Sequence, residues 1–123
     1  MRILFVDNHP EFTSLVTQSF LHNDDVEIVP TIAGARAAVQ GAAFDVALVD
    51  YDLDHGKGVE FNRWVRSTRA QLRMVAVSAR VEGNQALMSA GADAVCAKLD
   101  FSGIQRVIGE VLQAQSSPHF SRR

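Results

Sequence analysis

Short apolar runs, each followed by a polar residue, constrain the fold of this chain more than any other feature. Four of them are apolar at every position, and they span Ile3–Val6, Val46–Val49, Met74–Val77 and Ala94–Ala97. Runs of this length and composition are typical of parallel strands that helices cover on both faces. Parallel strands of an open sheet end at a common edge, and such folds bind their ligands there.

The residue after each run carries a chemically useful group. Asp7, Asp50, Ser78 and Lys98 follow the four runs in chain order. Two carboxylates about 4 Å apart repel each other by roughly 4 kcal/mol at an effective dielectric constant of about 20. An ammonium group and a divalent cation are the natural compensation for such a pair. If the four strand ends meet, the set therefore indicates a site for a phosphoryl group and a divalent cation.

Segments with helical periodicity separate the runs, so we predict a doubly wound α/β domain with a five-stranded parallel sheet and five helices. The predicted strands are Arg2–Asp7, Val26–Val29, Phe44–Val49, Met74–Val77 and Ala94–Ala97. The first helix starts at Asn8-His9-Pro10, where Asn8 is suited to cap it. The other predicted helices are Ala33–Gly41, Gly58–Ser67, Gly83–Ala90 and Ser102–Gln115. The inward face predicted for the first helix consists of Phe12, Leu15, Val16 and Phe20.

Size and charge narrow the class of protein. The length of 123 residues fits one domain, predicted over residues 1–115, followed by a flexible tail over residues 116–123. A net charge of −2 argues against direct binding of nucleic acid or of an anionic membrane. No stretch approaches the ~20 apolar residues of a membrane span, so we expect a cytoplasmic location.

Cysteine and histidine give no sign of a further site. Cys96 is the single cysteine, which excludes a disulfide within this chain and predicts a small buried apolar residue. The four histidines have no metal-ligand spacing; they are His9, His22, His55 and His119.

Several short motifs together resemble the receiver domain of two-component response regulators, the CheY-like superfamily. They are, in chain order, Ile3–Pro10, Asp45–Asp50, Val77–Ala79 and Gly91–Asp93 leading to Lys98. Their order and spacing carry the resemblance, which covers nearly the whole chain. It implies a flavodoxin-like sheet with strand order 2-1-3-4-5 and a signalling role rather than an enzymatic one.

The resemblance also implies a role for each residue at the predicted edge. Asp50 would be the phosphoacceptor, taking a phosphoryl group from a sensor histidine kinase or a phosphotransfer protein. Mg²⁺ would be bound by Asp7, Asp50 and the backbone carbonyl of Asp52. Lys98 would pair with one phosphoryl oxygen and Ser78 would donate its hydroxyl to another, which would switch a protein-interaction surface. The fourth helix, fifth strand and fifth helix would form the surface of a homodimer.

Three features depart from the family pattern. Asn8 stands where the family has a second acidic residue that binds the metal directly, so Asn8 is at most a neutral metal ligand. We therefore expect weak Mg²⁺ binding and slow or absent phosphorylation. Val95 replaces the aromatic residue that usually reports the state of the site, so we expect output through the loop and the fourth helix alone. The segment from Ser78 to Gly91 is about two residues shorter than usual, which changes the fourth helix by roughly half a turn.

Two other functions are compatible with the sequence. A degenerate receiver would act as a constitutive protein-binding module, which Asn8, Val95 and the short fourth helix favour. An Mg²⁺-dependent phosphatase with an aspartyl nucleophile would use Asp50-Tyr51-Asp52, which is similar to the Asp-x-Asp motif of haloacid-dehalogenase-type phosphatases. In those enzymes, however, the motif ends the first strand of a larger domain.

Each strand-end residue also has a purely structural interpretation. An aspartate such as Asp7 is often a helix cap or a turn former, and a serine such as Ser78 usually satisfies a local backbone group. Taken by itself, Lys98 is also compatible with an ordinary surface lysine. Only the recurrence of these residues at matching strand ends favours a shared site.

Overall fold

Five parallel strands form the sheet in the computed structural model, which describes residues 1–69 and 71–115, the last by its backbone alone. The strands are β1 (Arg2–Val6), β2 (Asp25–Val29), β3 (Val46–Val49), β4 (Arg73–Ala76) and β5 (Ala94–Val95). All four pairings are parallel, and the spatial order is β2-β1-β3-β4-β5. The predicted fold class and strand order are confirmed.

Four α-helices connect successive strands, a fifth follows β5, and together they cover both faces of the sheet. They are α1 (Pro10–Phe20), α2 (Ile32–Gly41), α3 (Gly58–Thr68), α4 (Val81–Ser89) and α5 (Ile104–Gln115). One apolar core lies under α1 and α5, and the other lies under α2, α3 and α4. Ile3 and Phe5 face the first core, whereas Leu4 and Val6 face the second. Because both faces are covered, the central strands β1, β3 and β4 are apolar at every position except the first residues of β1 and β4, Arg2 and Arg73.

Three aromatic rings anchor the core under α1 and α5. Phe5 stacks on Phe101 with 5.8 Å between the ring centroids, and Phe12 meets Phe101 edge-on at 5.5 Å. Phe5 is fully buried, and burial of one such side chain contributes about 1.5–3 kcal/mol. The start of α1 and the segment that carries Phe101 are thereby held against β1.

The observed elements differ from the predicted ones mainly at their ends. β1 ends at Val6 rather than Asp7, and α4 begins at Val81 rather than Gly83. β5 has only two residues, because the chain soon turns into a 3₁₀ helix over Lys98–Gly103 that leads into α5.

The helix α1 packs a narrower face on the core than predicted. Phe12, Val16 and Phe20 contact the core, whereas Leu15 is 63% exposed. Residues four positions apart lie on one side of a helix, and Leu15 falls beside that stripe.

A short antiparallel hairpin follows β3, and the sequence pattern does not predict it. Its two strands are Asp52–Leu53 and Gly56–Lys57, and His55 in the turn has a φ of 65°. The predicted tail over residues 116–123 lies outside the described residues. Within the described part of the chain, no helix is both long and apolar enough to cross a lipid bilayer.

Candidate functional site

The two predicted carboxylates lie side by side, just beyond the ends of β1 and β3. Val6 pairs with Val49 in the parallel ladder, so Asp7 and Asp50 follow at the same level. Their backbone N–H groups continue the ladder by donating to carbonyls of the neighbouring strands at 3.0 and 2.9 Å. Asp7 is 2% exposed and Asp50 is 4% exposed. The geometry of the sheet thus holds both carboxylates in a nearly buried position.

The ammonium group of Lys98 lies between these carboxylates. Its Nζ is 3.0 Å from Asp50 Oδ2 and 3.0 Å from Asp7 Oδ2. The same Nζ lies 4.7 Å from the centroid of the Phe12 ring, and the Lys98 backbone N–H donates to Ser78 O at 3.3 Å. The structure therefore brings the two aspartates and the lysine into direct contact, as the strand-end pattern predicts.

Burial is the main cause of an altered pKa at Asp50. It raises the pKa of this carboxyl above its usual value because water no longer solvates the charged form, and the charge of Asp7 raises it further. The hydrogen bond from Lys98 and its positive charge act in the opposite direction. Tyr51 N–H, which donates to Asp50 Oδ1 at 2.7 Å, also favours the ionised form. An ionised Asp50 therefore depends on positive charge close by.

Ser78 lies at the same edge and is engaged with its own loop and with α4. Its Oγ accepts the backbone N–H of Arg80 at 3.1 Å, which is the local role expected of a strand-end serine. As an acceptor in this bond, the hydroxyl keeps its own hydrogen for donation to a ligand. A Cβ added to Gly83 would lie 2.6 Å from Ser78 Oγ, so α4 packs directly against this hydroxyl.

The carboxamide of Asn84 in α4 also holds the Ser78 loop. Ser78 N–H donates to Asn84 Oδ1 at 2.8 Å, and Asn84 Nδ2 donates to Ser78 O at 3.0 Å. Both residues are buried. The loop after β4 is therefore joined to α4 through this side chain.

A shallow cavity of about 330 Å³ opens over these groups. Its lining includes His9, Asp50, Ser78, Arg80 and Lys98. It combines a carboxylate, a hydroxyl group and positively charged side chains. That combination suits a small anion bound together with a cation.

Asp52 begins the short hairpin, and cationic side chains bind its carboxylate. It accepts a hydrogen bond from Lys57 Nζ and lies 3.5 Å from Arg80 Nη2. The hydrogen bond from Lys57 lowers the pKa of Asp52, so this carboxylate stays ionised. The role of the Asp52 backbone carbonyl as a metal ligand stays a prediction.

Gly58, the first residue of α3, allows the hairpin to return close to β3. Its N–H donates to Tyr51 O at 2.6 Å, and an added Cβ would lie 1.9 Å from Asp50 O. Only a residue without a side chain fits between α3 and the Asp50 backbone at this distance.

Asn8 is bonded to the turn of the hairpin that follows β3. Its Nδ2 donates to Asp54 Oδ1 at 3.0 Å, and its Oδ1 is buried without a hydrogen-bond partner among the described residues. The predicted helix cap is also wrong, because His9 occupies the N-cap position of α1 without a side-chain cap bond. Asp7 Oδ1 instead accepts the His9 backbone N–H at 2.9 Å. The Asp7 carboxylate, one residue before Asn8, thus accepts a backbone N–H at the start of α1, as was predicted for the Asn8 side chain.

His9 is the residue of this cluster that the sequence analysis does not identify. Its Nδ1 lies 2.8 Å from Asp7 Oδ1 and 3.4 Å from Asp50 Oδ2. Spacing along the chain does not reveal it, because the other groups come from separate strands. The signal available in the sequence is its position two residues after Asp7, at a predicted helix start.

The donor atoms present fit a divalent cation. One ligand atom each from Asp7, His9 and Asp50 can be chosen so that all lie within 4.8 Å of one another. Two carboxylates supply negative charge, and an imidazole supplies a neutral lone pair. The role of Asn8 as a metal ligand stays a prediction.

Beside the Ser78 loop, α4 and β5 expose an apolar groove of about 640 Å³. Its lining includes Val81, Met88 and Val95, which are 69%, 40% and 40% exposed. Cys96, the next residue, is buried as predicted, and this burial raises the pKa of its thiol.

Comparisons with known proteins agree with this architecture. The family model of the response regulator receiver domain matches residues 3–106. A CheY-like response regulator receiver domain protein from Methanospirillum hungatei JF-1 is 26% identical in sequence, with a TM-score of 0.81. That match covers 94% of this chain and 95% of the other.

Two further solved structures share the fold. The response regulator TrrA from Thermotoga maritima, in complex with Mg²⁺-BeF, is 18% identical with a TM-score of 0.81 over 90% of this chain and 98% of that one. The receiver domain of the sensor histidine kinase PA1611 from Pseudomonas aeruginosa PAO1, with a magnesium ion coordinated in its active site cleft, is 20% identical with a TM-score of 0.82 over 91% and 97%. No curated protein matches the sequence significantly. The family match over most of the chain shows that the protein belongs to the response regulator receiver domain family.

Proposed function

We propose that Asp50 accepts a phosphoryl group from a phosphohistidine on a sensor histidine kinase or a phosphotransfer protein. The observation that carries this proposal is the contact of Asp50 Oδ2 with Lys98 Nζ at 3.0 Å, beside Asp7 and under an open cavity. A carboxylate held in this way is both accessible and flanked by a cation that can bind the incoming group.

The chemistry needs positioning and charge stabilisation more than covalent assistance. An oxygen of Asp50 forms a bond to phosphorus while the bond from phosphorus to the donor imidazole breaks, and the imidazole leaves with its electron pair. Lys98 stabilises the charge on the phosphoryl oxygens. A bound Mg²⁺ would supply further positive charge, held by Asp7 and Asp50 and by the backbone carbonyl of Asp52.

Ser78 is proposed to report the phosphoryl group to the rest of the domain. Its hydroxyl hydrogen would bond to a phosphoryl oxygen in place of the present contact, in which Oγ accepts Arg80 N–H. Movement of Ser78 would pull on Asn84 and hence on α4. Val95 cannot take the part of an aromatic reporter, because its short branched side chain has no distant tip to relocate.

The proposed output surface is the groove between α4 and β5. Its exposed apolar side chains, Val81, Met88 and Val95, suit a protein partner or a second copy of this chain. The neighbouring α5 completes the face at which the resemblance predicts a homodimer. A displacement of α4 by the Ser78 loop would reshape this groove.

A degenerate receiver remains the second candidate, and one observation favours it. Asn8 bonds to Asp54, and its amide brings no negative charge to the position where the family has a second acidic residue. Weak metal binding would then leave the domain as a constitutive binding module. The phosphatase alternative is disfavoured, because Lys57 keeps Asp52 ionised and the second aspartate of such an enzyme must donate a proton.

Intact-mass measurement after incubation with acetyl phosphate and Mg²⁺ tests the proposal. We expect the mass of one phosphoryl group to be added to the wild-type chain and not to Asp50→Asn. Asp54→Asn, which removes an exposed carboxylate close by, is the matched control and should still be modified. No adduct on the wild type, together with unshifted Ser78 amide resonances in Mg²⁺ and beryllofluoride, would establish the degenerate module instead.

A further inference from the structure

The backbone around His9 directs its ring toward the two carboxylates. Asp7 Oδ1 accepts the His9 N–H at 2.9 Å, and His9 O accepts Thr13 N–H at 3.0 Å as α1 begins. Both backbone groups of His9 are thus fixed by neighbours. With them fixed, Nδ1 lies 2.8 Å from Asp7 Oδ1 and 3.4 Å from Asp50 Oδ2.

No single proton position on this ring satisfies its neighbours. Lys98 Nζ lies 3.0 Å from His9 Nδ1, and this contact requires a lone pair on Nδ1. Asp7 Oδ1 lies 2.8 Å from the same atom, and that contact requires a hydrogen on Nδ1. Whichever form is present, one of the two contacts is repulsive. A metal ion removes the conflict, because it accepts lone pairs from the nitrogen and from the carboxylate together.

The Asp7 carboxylate gives a second, independent indication of a cation-binding site. Its side chain is 0% exposed, and its Oδ2 accepts no hydrogen bond of good geometry among the described residues. Lys98 Nζ is 3.0 Å from this oxygen, so it supplies charge without a directed hydrogen bond. A buried carboxylate oxygen in that state retains a lone pair available for a ligand.

The nature of the donors decides which ion fits. Mg²⁺ prefers an octahedron of oxygen atoms and binds imidazole poorly, whereas imidazole suits first-row transition ions. From the set of two carboxylates and one imidazole, we infer that Asp7, His9 and Asp50 form a site that selects transition ions such as Mn²⁺ and Co²⁺ over Mg²⁺.

The Lys98 ammonium occupies the centre of this site and moves aside when the ion binds. It lies 3.0 Å from Asp7 Oδ2, from Asp50 Oδ2 and from His9 Nδ1, which is the middle of the three donors. The cavity above the site gives it room to withdraw. An ion that gains the imidazole ligand displaces the ammonium more readily than Mg²⁺ does.

This inference deepens the proposed function and rests on it for the role of the ion, but its test uses no phosphoryl donor. The whole chain is titrated separately with Mn²⁺, Co²⁺ and Mg²⁺ by isothermal calorimetry, and the visible absorption of Co²⁺ reports nitrogen ligation. We expect Mn²⁺ and Co²⁺ to bind at least about tenfold more tightly than Mg²⁺.

Variants at two histidines separate this site from general metal binding. His9→Ala should weaken Mn²⁺ and Co²⁺ at least about tenfold and leave Mg²⁺ within about twofold, as expected when a nitrogen ligand is lost. His9→Gln, which offers an oxygen, should narrow the difference between Mn²⁺ and Mg²⁺. His22→Ala removes an exposed histidine from the loop that follows α1, and it should leave the affinities for Mn²⁺, Co²⁺ and Mg²⁺ unchanged. Circular dichroism checks that each variant is folded.

The outcomes distinguish this inference from the proposed function. Equal affinity for Mg²⁺ and Mn²⁺ in the wild type, or unchanged Co²⁺ binding in His9→Ala, overturns the selectivity even if Asp50 is phosphorylated. His9-dependent Co²⁺ binding in a chain that no donor phosphorylates with any of the three ions supports the site while the phosphoacceptor function fails.

Discussion

The carboxamide of Asn84 pairs with both polar groups of the Ser78 peptide, at 2.8 Å to the N–H and 3.0 Å to the carbonyl oxygen. The same carbonyl accepts the Lys98 N–H at 3.3 Å. Helix α4, the loop after β4 and the segment carrying Lys98 therefore meet at one peptide group. The proposed movement of Ser78 would reach α4 through this peptide.

Asn84→Ala is expected to lower the free energy of unfolding by about 2 kcal/mol, because it leaves a buried N–H without an acceptor. Urea denaturation measures this loss, and hydrogen exchange of the Ser78 amide should accelerate. Gln85→Ala changes the neighbouring exposed residue and should stay within about 0.5 kcal/mol of wild type. Equal stability of the two variants would show that Asn84 does not hold the loop.

Gly58→Ala should destabilise the domain by about 1–3 kcal/mol, because the new methyl group must displace the Asp50 backbone. The effect follows from the 1.9 Å separation between an added Cβ and Asp50 O. Gly109→Ala is the opposite control, since nothing lies within 4 Å of its added Cβ in α5. It should stabilise the protein by about 1 kcal/mol through helix propensity. Thermal unfolding of both variants makes the comparison, and a Gly58→Ala protein as stable as wild type would contradict the close approach.

Asp93→Ala should cost about 2 kcal/mol, because hydrogen bonds to charged groups are the stronger ones. The Asp93 carboxylate binds Arg66 Nη2 at 2.8 Å, Arg73 Nη1 at 3.3 Å and the Met74 backbone N–H at 2.9 Å. It thereby links α3 and β4 to the start of β5. Glu110→Ala breaks an exposed pair with Arg106 and should cost less than about 0.5 kcal/mol. Denaturant titration of the two variants under the same conditions tests the difference, and similar losses would contradict it.

Asp50→Asn should unfold with a higher free energy than wild type at pH 7 in metal-free buffer. The raised pKa of Asp50 means that the folded state binds this proton more tightly than the unfolded chain does. Stability from this group is therefore lost as pH rises from the ordinary carboxyl range through the raised pKa. Asparagine does not ionise, so the advantage of the variant should shrink as pH falls below that range. Urea titrations between acid and neutral pH measure it, and a variant less stable than wild type at pH 7 would refute the stated sign.

The contact among Asp7, Asp50 and Lys98 could be predicted from the sequence, because parallel strands end at one edge and alternate their faces with a fixed period. This prediction requires no knowledge of individual side-chain torsion angles. Ser78 was predicted at the same edge for the same reason, and its bond to Arg80 N–H agrees with its structural interpretation.

Other parts of the site depend on choices that periodicity does not encode. His9 is positioned by two contacts to one acceptor, Asp7 Oδ1, and Asn8 by its bond to Asp54, which is distant in sequence. Asn84 follows a helical pattern in which a polar residue is typical of the surface, yet α4 buries it against the Ser78 loop. The hairpin after β3 has strands of two residues, which are too short to show alternation.

The pairing of Val6 with Val49 ties the geometry of the carboxylate pair and the packing of the two cores to the same alignment. Insertion of one residue inside β3 would advance Asp50 by about 3.3 Å relative to Asp7 and would also exchange the side chains that enter the two cores. An insertion in β3 would therefore disrupt the carboxylate pair and the packing of both cores together. Additional residues are tolerable only where the chain crosses the outside of the domain, far from these two strands.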